Sequence, residues 1–178
     1  MSRPMQIRIG PMVAALTLSG AILAACSEGP SVSRASHFRD DYNTARAALE
    51  NENFAKAAKQ YKALIPVAGP LAPRMELEYA HALLRDEQFE AAAGVARQLA
   101  ATQSDTARAA ALAVQGTAEH ETALSLMDAD PRDPRAVSYL RSASQALGVA
   151  IADPAELDPL GALATRKRSI DALLAGFS

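Results

Sequence analysis

Apolar positions along the chain recur at the helical period, and polar clusters interrupt them. Phe38, Tyr42, Ala45 and Leu49 fall on one face of a helix, and Asn51-Glu52-Asn53 breaks the pattern. Phe54, Ala57, Ala58, Tyr61 and Leu64 then begin a second stripe. Leu77, Ala80, Leu83 and Leu84 predict a third helix, Arg85-Asp86-Glu87 a break, and Phe89, Ala92, Ala96 and Leu99 a fourth. Thr106 to Met127 reads as one long helix, with Ser104 or Asp105 as its cap. Asp130-Pro131-Arg132-Asp133-Pro134 is a breaker whose last two residues form an N-cap and N1 pair. The helix they open runs to about Ile151, with Tyr139, Leu140, Ala143, Leu147 and Ala150 on one face. Asp158-Pro159 uses the same device before a last helix ending near Leu174.

The pattern also repeats. Shifted by 35 places, Ala45 to Leu64 aligns with Ala80 to Leu99 and matches at Ala45/Ala80, Ala47/Ala82, Leu49/Leu84, Glu52/Glu87, Phe54/Phe89, Ala57/Ala92, Ala58/Ala93 and Leu64/Leu99. The Phe, Glu and Leu matches carry the most weight, because an alanine-rich chain matches itself at Ala by chance. A small residue, a short turn, an aromatic three residues before another small residue and then a large apolar one, at this period, resembles the tetratricopeptide (TPR) repeat. The resemblance covers Phe38 to Ala101. It lacks that family's Trp and Gly near the start of the first helix, and Pro66 and Pro70 match the unit-ending Pro only loosely. It implies an all-α fold, a short TPR-like solenoid of about three helical hairpins plus a C-terminal capping helix. Arg166-Lys167-Arg168 supplies the polar outer face a cap needs. An ordinary helical bundle with accidental self-similarity remains the alternative.

Composition agrees with the all-α reading. Of 178 residues 41 are Ala, aromatics are 4% and Trp is absent, whereas strands favour β-branched and aromatic residues. The formal net charge of -2 excludes the basic excess of a dedicated nucleic-acid binder.

Residues 1–25 read as an address. Arg3 and Arg8 make a positive start, and Ile9 to Ala25 is uncharged, apolar or small, and short for a membrane span. The stretch ends in Leu23-Ala24-Ala25-Cys26, which resembles the lipobox of bacterial lipoproteins. That resemblance implies cleavage before Cys26 and acylation of it, an anchor that several acyl chains make effectively permanent. Ser27, where Asp would favour inner-membrane retention, implies the periplasmic face of the outer membrane. A soluble secreted protein with a free Cys26 thiol is the alternative, a liability in an oxidising compartment. Losing Arg3 and Arg8 leaves 16 basic against 20 acidic residues. Residues 26–36 are then the anchor and a flexible linker, and 37–178 the helical domain.

No chemistry stands out. His120-Glu121 lacks the second His of a zinc-protease helix, since Leu124 occupies that place. Asp128, Asp130 and Asp133 have neither the spacing nor the Gly of a calcium loop and suit capping. No catalytic residue, metal, cofactor or small-molecule substrate is expected. The TPR resemblance implies a groove on the first helices of the repeats, carried here by Arg39, Tyr42, Asn43 and Arg46 and by Arg74, Glu78, His81 and Arg85. Its arginines suit a partner's carboxylates; the alternative is a solvated face of i,i+4 pairs such as Arg46 with Glu50. The expected function is a non-enzymatic, membrane-anchored adaptor binding another envelope protein, similar to the TPR lipoproteins of pilus-assembly systems. A regulator of a cell-wall enzyme and a passive structural lipoprotein are the other readings.

Overall fold

The computed structural model describes residues 30–152 and 157–177, so the address segment 1–25 and Cys26 lie outside the described residues. Seven α-helices occupy them: α1 (Pro30–Glu50), α2 (Phe54–Leu64), α3 (Ala72–Arg85), α4 (Phe89–Thr102), α5 (Asp105–Ala129), α6 (Pro134–Ala152) and α7 (Ala162–Ala175). The fold is all-α, built of consecutive antiparallel hairpins α1/α2, α3/α4 and α5/α6, with α7 packed on α6.

The 35-residue register survives in three dimensions. Ala45 and Ala80, Ala57 and Ala92, Ala58 and Ala93, and Leu64 and Leu99 are all buried, and Phe54 and Phe89 are both half-buried. Only Ala47 departs, being exposed where Ala82 is buried. The turns repeat bond for bond. Glu52 and Glu87 both take a left-handed backbone with φ 59°. Asn53 N–H donates to Ala48 O at 2.8 Å and Glu52 N–H to Leu49 O at 3.1 Å, as Gln88 does to Leu83 O (2.9 Å) and Glu87 to Leu84 O (3.3 Å). These are Schellman closures, which satisfy the last carbonyls of a helix and normally place Gly at the left-handed position.

The third hairpin turns differently. Asp133 N–H donates to Asp130 O (2.9 Å), Asp130 Oδ1 accepts from Arg132 N–H (3.0 Å), and Asp133 Oδ1 caps α6 by accepting from Arg135 N–H (2.8 Å). Capping is thus the role of Asp133, and Asp130 shapes the turn before it. Its first helix, α5, is the centre of the molecule, packed by α4, α6, α3 and α7, and is buried nearly all round rather than along one stripe. Gly116 on α5 lets α6 approach closely: a Cβ there lies 2.6 Å from Leu147 Cγ and 3.0 Å from Ala143 O.

Three expectations need correction. α1 begins at Pro30, so residues 30–36 are helical rather than spacer; no breaker stands between Pro30, suited to a first turn, and Glu50. α7 begins at Ala162 because Asp158-Pro159 is spent on a turn, Gly161 N–H donating to Asp158 O at 3.0 Å. Asp158 still caps α7 from the first position of that turn, its carboxylate accepting from Leu163 N–H (3.0 Å) and Ala164 N–H (2.9 Å). Ser104 sits at the N-cap of α5, but its hydroxyl pairs with Asp105 Oδ2 (2.8 Å) and not with the helix backbone.

Because successive helices run antiparallel, the molecule has two ends. The tight turns 51–53, 86–88 and 130–133 share one, the turn end. The other, the connector end, holds the start of α1, the α2–α3 connection with its two 3-10 turns, the α4–α5 link and the residues leading into α7. Pro73, Thr106 and Leu157 border one recess there.

Candidate functional site

The sequence-derived groove residues divide. Tyr42 and Arg46 on α1 and Arg74 and Glu78 on α3 converge with Glu50 and Tyr61 on a recess of about 240 Å³. The convergence follows from spacing: 42 and 46, and 74 and 78, are one turn apart on helices facing each other across α2. Tyr42 stands edge-on to Tyr61, ring centroids 6.2 Å apart at 66°. Tyr61 is fully buried, and burial first, then the charge of Glu78, pushes its hydroxyl up to about 12, so it stays protonated.

Both arginines already have partners. Arg46 Nε donates to Glu50 Oε1 at 2.7 Å, and Arg74 Nη2 lies 2.6 Å from Glu78 Oε1. Glu50 foremost and Tyr42 hold Arg46 above the usual guanidinium range, and Glu78 foremost does so for Arg74. The i,i+4 pairing alternative therefore holds for these residues. The Arg46–Glu50 pair is exposed on both sides and worth about 0–1 kcal/mol, so an incoming carboxylate can displace Glu50 at small cost, whereas Glu78 is only 13% exposed and stays on Arg74, whose guanidinium is open on its outer side.

The other four stand apart. Arg39 and Asn43 are exposed on α1 and border none of these recesses. Arg85 stacks its guanidinium 4.5 Å over the Phe54 ring at the turn end. His81 keeps an exposed edge on α3, yet the mass of protein around it desolvates the ring and lowers its pKa below 6.5, with Glu78 opposing and Arg74 assisting.

Arg74 is the hinge of the site. It also borders a recess of about 320 Å³ with Phe38, Tyr42, Leu71 and Met75, and one of about 430 Å³ with Leu77, Leu99, Ala110 and Leu157. One guanidinium is thus flanked by apolar hollows on both sides. No protein-family model, curated protein or solved structure matches this chain.

Sequence reasoning missed the polar groups of α5. Glu119 is fully buried, its Oε1 accepting from Arg97 Nη2 of α4 (2.5 Å) and Gln115 Nε2 (3.0 Å), while Oε2 has no partner. His120 is buried on the side facing α7, its Nδ1 2.9 Å from Arg166 Nη1, which also pairs with Glu121 Oε1 at 2.5 Å. A guanidinium only donates, so Nδ1 accepts and the ring proton sits on Nε2, which is buried without a partner. Burial foremost, then the charge of Arg166, lowers the His120 pKa below 6.5. These groups lock α5 to its neighbours. Among the described residues no group of three or more His, Cys, Asp or Glu comes together as a metal site would need.

Proposed function

We propose that the chain is a TPR-like adaptor, lipid-anchored through Cys26 at the periplasmic face of the outer membrane, that captures a segment of another envelope protein during assembly of a pilus or secretion complex. One observation carries the binding part: the exposed Arg74 guanidinium stands between apolar hollows, beside an Arg46 held only by an exchangeable surface pair. A segment with an acidic group flanked by large apolar side chains fits that order. The acid replaces Glu50 on Arg46 or joins Glu78 on the open side of Arg74, and the apolar groups fill the space beside Phe38 and Leu71 on one side or Leu77 and Leu157 on the other.

In-cell cross-linking followed by mass spectrometry tests this, comparing the native chain with an Arg46→Glu, Arg74→Glu variant and with Arg85→Glu. The expected result is one envelope partner that survives Arg85→Glu and is lost in the double variant. A partner retained by the double variant refutes the site. A captured soluble wall enzyme, in place of an assembly subunit, reassigns the process and leaves the site standing.

A further inference from the structure

The connector end differs in chemistry from the rest of the surface. Residues 63–73, ALIPVAGPLAP, contain no charged residue, and within them Val67 is 68% and Leu71 52% exposed. In the residues leading into α7, Leu160 is 94% exposed, and Val149 in the last turn of α6 is also exposed. Of the exposed large apolar side chains among the described residues, only Leu124 and Phe177 lie toward the turn end. That end carries Glu52, Asp86, Glu87, Asp130 and Asp133 beside Arg85, Arg132 and Arg135, whereas the connector end carries Asp105 and Asp158. Scattered exposed apolar residues are ordinary, but their gathering at one end is not. Pro66 and Pro70 fix the backbone that presents Val67 and Leu71, so holding them outward needs little further ordering.

The course of the chain says what covers this end. Helix α1 starts there at Pro30, four residues after Cys26 and five after the uncharged stretch Ile9 to Ala25. Four extended residues span at most about 14 Å. Pro30 stands about two turns, roughly 12 Å, beyond Phe38, which borders the same recess as Leu71, so a bilayer that holds residue 26 or the apolar stretch before it lies on the connector side of the molecule, within about 26 Å of that recess. Lys59 and Lys62 in the last turns of α2 suit anionic headgroups, and the acidic turn end points away.

We infer that Val67, Leu71 and Leu160 enter the interfacial layer of the bilayer that holds the N-terminus, so that the helices stand on the membrane by their connector end. The inference rests on the anchored reading for the proximity of the bilayer. Its contacts are separate from that anchor. Apolar side chains beside a tether gain from insertion as interfacial segments do, and a second attachment fixes the orientation of a domain that a single tether leaves free to rotate.

The chain contains no Trp, so Val67→Trp, Leu160→Trp and, at the turn end, Arg132→Trp each create a single indole at an exposed position, excited at the red edge where the four tyrosines do not absorb. The full chain, purified from membranes, is reconstituted with vesicles of phosphatidylethanolamine and phosphatidylglycerol containing acyl-brominated lipid. Circular dichroism checks that helicity matches the native chain. Blue-shifted, bromine-quenched emission is expected from Val67→Trp and Leu160→Trp, and solvent-like emission from Arg132→Trp. Mass spectrometry of the same preparation reads the state of Cys26. Unquenched indoles on an acylated, vesicle-bound chain overturn the insertion and leave the anchor standing. Quenched indoles without acylation support the insertion and overturn the anchor. Unquenched indoles on an unacylated chain overturn both.

Discussion

Gly116 is the tightest point in the molecule, and substituting it gives a sharp test of the packing. In Gly116→Ala the new Cβ lies 2.6 Å from Leu147 Cγ, 2.9 Å from Leu147 Cδ2 and 3.0 Å from the Ala143 carbonyl oxygen. Two of these neighbours yield badly: Cγ is the branch point of a fully buried side chain, and the carbonyl belongs to the backbone of α6. Helices α5 and α6 must separate, and overpacking of this kind costs about 1–3 kcal/mol. Ala in place of Gly within a helix returns about 0.5–1 kcal/mol. The net loss is about 0–2.5 kcal/mol, a fall in Tm of up to roughly 10 °C for a domain of this size. Gly94→Ala is the matched control, because Gly94 lies inside α4 and a Cβ there meets nothing within 4 Å. With no clash to oppose the propensity gain, that variant rises by about 0.5–1 kcal/mol. Thermal melts followed by circular dichroism, with urea titrations, measure both. A Gly116→Ala variant that gains as much stability as Gly94→Ala would refute the close approach of α5 and α6.

Two further predictions concern the turns and the docking of α7. Glu52→Gly and Glu87→Gly relieve a left-handed backbone that costs a side chain-bearing residue about 1 kcal/mol. Each raises the urea midpoint by somewhat less, because Gly also loosens the unfolded chain; a lower midpoint at both sites sinks the Schellman assignment. His120 makes stability fall with pH. Its folded pKa lies below 6.5, so the unfolded chain takes up the proton first and the loss begins as pH drops through 6.5. The charged groups acting on the ring are Arg166 from α7 and Glu121 on α5 itself, and none acts from α3, α4 or α6. His120→Gln should flatten the decline in Tm between about pH 7 and pH 5. His81 contributes a decline of the same sign, so flattening is partial. Equal slopes in the two proteins rule out the His120 contribution.

What the sequence made legible follows from the range of each interaction. Helix positions, the 51–53 and 86–88 breaks and the 35-residue register depend on residues within one or two turns of each other, and periodicity reads that distance directly. The i,i+4 pairs Arg46–Glu50 and Arg74–Glu78 are legible for the same reason. The start of α7 was not, because Asp158 caps across five and six residues instead of two. Glu119 and His120 look like ordinary polar positions on a helix; their partners Arg97 and Arg166 are 22 and 46 residues away, and nothing local announces them. The TPR resemblance assigns Arg85 to the groove by matched position, whereas Phe54 draws its guanidinium to the turn end. Leu157 joins the site from a connection that carries no periodicity at all.

Packing runs mainly between helices adjacent in the chain, with α5 also meeting α3 and α7. The contact order of the domain is therefore low, and low contact order goes with fast folding, because little loop entropy is spent before contacts form. It also allows vectorial assembly. A chain delivered N-terminus first can close α1 on α2 as soon as both have emerged, and each later helix finds its template already folded. No early segment has to wait, exposed, for a partner from the far end of the sequence. The last helix to arrive, α7, covers Leu140 and Leu147 through Ile170 and completes the domain.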